Sequence, residues 1–182
     1  MQTVILDAMG KDAPIAAAIV RALKSRGAKI SRFQLRELNI LPCRSCGSCA
    51  CLTPGACVFS DEMPTIMRAI APSTLLVLLT PVNFGGYAAA LKKAVDKFLL
   101  MGLPLYIVQD GHLLHPMRYG TKSLLGIGVL DKNRPSEAES FKDLVAQNAL
   151  NMQFPYRAII FQPTDGLAKI EPVIEKTLGE VC

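Results

Sequence analysis

Thr74-Leu75-Leu76-Val77-Leu78-Leu79-Thr80 is apolar from Leu75 to Leu79 without a polar break. A run this short with no polar stripe reads as a strand buried on both faces, the central strand of a parallel sheet. On either side, apolar runs alternate with helical patterns, as in successive βαβ units. Upstream, Thr3-Val4-Ile5-Leu6 is the first strand. A helix opening near Pro14 and carrying Ala16, Ile19, Val20 and Leu23 stops at Gly27. Lys29 to Leu35 is the second strand. Ser60 is placed to cap a further helix that has Asp61 and Glu62 in its first turn and ends by Pro72.

Downstream, Pro81 to Gly86 is a loop. Tyr87 to Leu100 is an amphipathic helix with Leu91, Ala94, Val95 and Phe98 on one side and Lys92, Lys93, Asp96 and Lys97 on the other. Asp110-Gly111 supplies a tight turn between Leu105 to Gln109 and His112 to Leu114, a hairpin-like insertion spanning about 104–120. Leu124 to Leu130 is the fourth strand, and Ser136 with Glu139 makes a capping box for a helix reaching Asn148. Arg157 to Gln162 is the fifth strand, followed by a helix with Val173, Ile174 and Leu178. No repeat or linker divides this pattern, so residues 1–182 read as one α/β domain with helices on both faces of the sheet.

A chain of 182 residues can bury a core on both faces of such a sheet. Hydrophobic residues make up 51% of it, but Pro, Gly or charge interrupts every run well short of the roughly 20 residues that cross a bilayer. No membrane segment is expected. Met1 to Asp7 leads directly into a strand, without the basic start of a signal peptide, so a cytoplasmic protein is expected. The net charge of +5 is scattered rather than gathered with aromatics, which implies no nucleic-acid partner and some preference for anionic cofactors.

Five of the six cysteines lie between Cys43 and Cys57. Cys43, Cys46, Cys49 and Cys57 follow the spacing C-x2-C-x2-C-x7-C, with Cys51 as an extra thiol. In a reducing compartment this is not a disulfide framework. Three thiolates two residues apart can curl around one face of a [4Fe-4S] cluster while a fourth returns later in the chain. Zinc usually takes two separated C-x2-C pairs, yet four cysteines also suit it, and uncommitted thiols are the third alternative.

Two stretches carry a family likeness. Leu38-Asn39-Ile40-Leu41-Pro42-Cys43-Arg44-Ser45-Cys46-Gly47-Ser48-Cys49 with Thr53 to Met63, and Thr80-Pro81-Val82-Asn83-Phe84-Gly85-Gly86-Tyr87 leading into Leu91 to Lys97, resemble the iron-sulfur flavoprotein branch of the NADPH-dependent FMN reductases. The resemblance implies a flavodoxin-like three-layer sandwich with a five-stranded parallel sheet in the order 2-1-3-4-5. It implies a [4Fe-4S] cluster on Cys43, Cys46, Cys49 and Cys57, in the cysteine loop at 42–58. FMN would sit at the carboxyl edge of the sheet, where open parallel sheets hold ligands. There it would touch Gly10, Lys11, Thr80, Pro81, Val82, Asn83, Phe84, Gly85, Gly86 and Asp131, with the cysteine loop opening on the same edge. NAD(P)H as electron donor, a redox partner and a homo-oligomeric assembly follow from the same likeness, and no side chain need act as acid or base.

Asn83 stands where the family more often has Tyr. The first loop, Ala8-Met9-Gly10-Lys11-Asp12-Ala13-Pro14, lacks the family's phosphate-binding hydroxyls and Arg. Gly10 can offer an amide and Lys11 a charge, whereas Asp12 caps the helix and repels a phosphate, so FMN is expected to bind loosely. His112 and His115 read as surface groups without catalytic duty. The expected activity is that of an FMN-dependent oxidoreductase relaying electrons through the cluster. The alternatives are a flavin-free metal-binding or scaffold protein, and a plain NAD(P)H-dependent FMN reductase without a cluster.

Overall fold

In the computed structural model the chain begins with β1 (Gln2–Asp7), α1 (Pro14–Ser25), β2 (Lys29–Gln34), α2 (Ser48–Cys51), α3 (Met63–Ile70), β3 (Leu75–Asn83) and β4 (Gly86–Tyr87). It continues with α4 (Ala89–Val95), a 3-10 helix (Asp96–Met101), β5 (Ile107–Gln109), β6 (His112–Leu114), β7 (Ser123–Val129), α5 (Pro135–Met152), β8 (Tyr156–Phe161) and α6 (Leu167–Val181). Residues 1–11 and 13–181 are described, so the expected cap at Asp12 lies outside the described residues, as does Cys182.

The parallel strands lie in the order β2-β1-β3-β7-β8, and β4 adds a short antiparallel pairing to β3. Around the centre the register sets Ile5 opposite Arg32 and Val77, and Leu125 opposite Val77 and Arg157. Because strand side chains alternate, β3 serves two cores. Leu76 and Leu78 join α3, α4 and α5 on one face, while Leu75, Val77 and Leu79 join α1 and α6 on the other. The flavodoxin-like sandwich is therefore present, with one extra short strand. A Cβ on Gly126 would come 2.6 Å from Val145, and one on Gly128 3.0 Å from Phe141, so glycines let α5 press onto the sheet.

Four local expectations are corrected. β3 does not end at Thr80: Pro81, Val82 and Asn83 extend it, and Phe84-Gly85 turn it back into β4 with φ of 51° and 78°, the left-handed pair of a tight hairpin. Ser60 is not the cap of α3, which starts at Met63 and has its amide bound by the Asp61 carboxylate at 3.0 Å. The capping box of Ser136 and Glu139 does not form, because Pro135, with its preset φ, already begins α5. The helix expected from Tyr87 starts at Ala89 and tightens into the 3-10 form at Asp96. The Asp110-Gly111 hairpin forms as expected, with φ of 51° and 78°. Among the described residues no helix is long and apolar enough to cross a membrane.

Candidate functional site

At the carboxyl end of β1, Asp7 is fully buried and accepts bonds from Arg32 Nε at 2.8 Å, Arg32 Nη2 at 2.6 Å and Gln34 Nε2 at 2.9 Å. Its other oxygen accepts the Met9 amide at 2.8 Å and so fixes the start of the first loop. Arg36 Nε donates to Ala8 O at 2.8 Å. These anchors escape the sequence reading, although Arg32 and Gln34 stand at the strand period of two, a signal for one polar row on the face that carries Asp7. Gly10 and Lys11 are exposed at this edge, and Lys11 pairs with Glu37 at 3.2 Å. Both of these side chains are exposed, so the pair holds Lys11 only weakly.

The expected ring-facing stretch divides into two sets. Thr80 is fully buried, accepts the Ala88 amide at 3.0 Å and donates to Pro81 O at 2.8 Å, so it braces the turn from behind. Val82 is buried in the core beside α5. Pro81 and Gly86 are half-buried, and Asn83 and Phe84 project to solvent, Phe84 being 94% exposed. Gly85 packs beneath α5, where a Cβ would meet Ser140 Cβ at 2.7 Å. Replacing Gly85 with Val would thus disturb the turn before any ligand. Asp131 is exposed on the neighbouring loop. Tyr87 anchors β4 by accepting a 3.0 Å bond from Asn148 and meeting Phe141 edge-on, and burial pushes its phenol up to about 12.

Cys43, Cys46, Cys49 and Cys57 all line one cavity, whereas Cys51, exposed on α2, does not. The cysteine loop is expected to open on the carboxyl edge of the sheet. The loop leaves that edge after β2 but folds over the 3-10 helix, with Lys97, Leu99 and Leu100 in the opposite wall. Lys97 is 8 positions beyond Ala89, about 12 Å along the helix axis. Among the described residues no three His, Cys, Asp or Glu side chains converge closely enough to hold one metal ion.

Donors reach two of these four sulfurs. The Ser45 amide points at Cys43 Sγ at 3.5 Å, and Lys97 Nζ lies 3.9 Å from Cys57 Sγ. The Ser48 hydroxyl and amide beside Cys46 lower its thiol pKa. Burial raises the pKa of Cys49, with the neighbouring thiols adding to the effect.

The loop is closed at its base. Asp61, whose side chain is shielded from solvent, accepts the Leu41 amide at 2.9 Å, the Met63 amide and the ammonium of Lys97. Next to it Asn39 and Glu62 exchange two bonds of 2.6 and 3.1 Å. Elsewhere, His115 Nδ1 contacts Leu103 O at 3.0 Å and Leu105 O at 2.7 Å beneath the Tyr106 ring, which gives it a structural place at the hairpin base. His112 is exposed.

The family described as NADPH-dependent FMN reductase matches residues 10–116, more than half of the chain. An iron-sulfur flavoprotein of Archaeoglobus fulgidus is 28% identical over 85 residues, covering 47% of this chain and 38% of that protein. One from Methanosarcina thermophila is 29% identical over 87 residues, covering 48% and 44%. The matches thus span less than half the length of these curated relatives. The solved structure of an NAD(P)H:quinone oxidoreductase from Methanothermobacter marburgensis superposes with a TM-score of 0.72 at 11% identity, covering 98% of this chain and 97% of that one, a likeness of fold.

Proposed function

The chain belongs to the NADPH-dependent FMN reductase family, and from that premise we propose that it is an FMN-dependent oxidoreductase whose cysteine loop carries a [4Fe-4S] cluster. One observation carries the finer part of this reading: the four cysteines of the C-x2-C-x2-C-x7-C spacing line one cavity, and the fifth stands outside it. A single zinc ion would need its sulfurs about 3.8 Å apart, given Zn–S bonds of about 2.3 Å. Thiols spread around one cavity suit a larger group, and donors aimed at sulfur suit thiolates.

For the flavin, the exposed backbone and side chains of Asn83 and Phe84, with Pro81 and Gly86, would flank the ring. Gly10 and Lys11 would meet the phosphate, and Asp131 would close the pocket from the next loop. When bound, FMN supplies hydride and single-electron chemistry and the cluster one-electron transfer, while the chain supplies position and exclusion of water. NAD(P)H is the electron donor in this reading, a redox partner takes the electrons, and the working assembly is a homo-oligomer. Exposed Leu105, Tyr106, Val108 and Leu113 on the hairpin support a second copy as cover. Reduced thiols at the loop suit the cytoplasm.

The test is the visible spectrum of anaerobically purified protein, with iron and FMN counted per chain. Resolved flavin bands over a broad cluster absorption are expected. A cluster absorption alone would select the flavin-free metal-binding reading, which the absence of hydroxyl side chains in Ala8 to Ala13 supports. Flavin bands without iron would select a plain reductase.

Phe84 offers a sharper test of the ring placement. A non-glycine residue at φ 51° with a ring 94% exposed is strained and gains little from packing. Phe84→Asn, the residue favoured at this turn position, is therefore expected to stabilise the fold by about 1 kcal/mol and to weaken FMN binding. Urea unfolding and flavin titration check the pair. A gain in stability with unchanged flavin affinity would remove Phe84 from the site.

A further inference from the structure

Beneath the cysteine cavity lies a charge that packing alone does not explain. Lys97 is 2% exposed in its side chain and paired with Asp61, itself 0% exposed, although a buried ion pair is no better a stabiliser than apolar residues of the same size. The pair is neutral as a whole but asymmetric towards the cavity. Lys97 lines it and reaches Cys57 Sγ at 3.9 Å, while Asp61 is held behind by the Leu41 and Met63 amides. The other acid in the lining, Asp96, is paired with Lys92. Arg44, over the Phe59 ring at 4.5 Å, adds a second cation to the wall.

We propose that Lys97 is a positioning residue of the redox site, donating to Cys57 Sγ and presenting the positive end of its ion pair to the cavity so that the reduced form of a thiolate-bound cluster is favoured. This rests on the cluster reading of the loop. Four thiolates and a cluster form an anion, and one-electron reduction adds one negative charge without breaking a bond. A nearby ammonium stabilises the added charge, and an N–H···S bond strengthens as the sulfur becomes more negative, so both raise the reduction potential. Asp61 fixes where the ammonium sits and, standing farther from the sulfurs, only partly offsets it.

The test compares the parent, Lys97→Met, Asp61→Asn and the Lys97→Met/Asp61→Asn double variant, each reconstituted anaerobically with iron and sulfide. Iron is counted, and the cluster midpoint is read by potentiometric titration. The expected order runs from Asp61→Asn, the most positive, through the parent and the double variant to Lys97→Met, the most negative. The double variant replaces the pair with neutral residues of similar shape and keeps the comparison open where a single variant does not fold. Parent and double variant with equal midpoints and full iron would overturn the proposal and leave the cluster standing. So would loss of iron from the double variant, since that marks a purely structural role. A parent that takes up no iron would overturn the cluster reading, and this proposal with it.

Discussion

Cys46→Ser is expected to remove essentially all iron from the anaerobically reconstituted protein, whereas Cys51→Ser keeps most of it. Cys46 is exposed at the rim of the cavity, so replacing sulfur with oxygen there removes a ligand without opening a void in the core. Its thiol pKa is also lowered, because the Ser48 hydroxyl and amide favour the thiolate. A serine hydroxyl is a hard ligand that stays protonated near neutrality and replaces thiolate poorly on iron-sulfur clusters. Cys51, only two residues beyond Cys49, lies on the short α2 and outside the cavity lining, so the fold sets it apart from the other four where spacing alone does not. Equal iron loss in both variants would show the ligand set to be misassigned, and full iron in Cys46→Ser would remove Cys46 from it.

The central strand was legible because it is buried on both faces, and a strand in that position can hold nothing but apolar side chains. Its last three residues were not, since Pro81 reads as a strand breaker. β1 stops opposite Leu79, so at Pro81 β3 pairs with Val129 of β7 alone, a position where a proline is tolerated, before β4 takes up the pairing at Val82 and Asn83. The four-cysteine spacing was legible as a local pattern. The opposite wall of its cavity was not, because Lys97 belongs, at helical period, to the polar face of Lys92, Lys93 and Asp96. The change of winding at Asp96, from about 3.6 to about 3 residues per turn, carries Lys97 off that face and towards an aspartate that no local pattern connects to it. Asp7 was hidden for a similar reason. As the last residue of a strand it carries no motif, and its meaning lies in the Arg32 and Gln34 side chains of the neighbouring strand.

Asp61→Ala should lower the unfolding free energy by about 3–5 kcal/mol, because it strands the Lys97 ammonium in a site 2% exposed and releases the base of the cysteine loop. The carboxylate bonds the Leu41 amide ahead of the first cysteine and the Met63 amide behind the last, so one side chain closes the loop at both ends. Removing a buried charge together with its partner is a different matter. The Lys97→Met/Asp61→Asn variant should recover most of the loss, because neither charge is then left unpaired. Acid should act in the same direction as the alanine. Burial alone would raise the Asp61 pKa, but the bond from Lys97 and those from Leu41 and Met63 outweigh it and hold the value below the ordinary 3.8. A carboxylate with a depressed folded-state pKa stabilises fully above its unfolded value and loses that contribution as pH falls through the folded one. The stability gap between parent and Asp61→Ala, measured by urea unfolding, should therefore stay constant from about pH 7 to pH 5 and shrink only below about pH 4. A gap under about 1 kcal/mol at neutral pH would mean that the loop is held at its base by the Asn39 and Glu62 bonds instead.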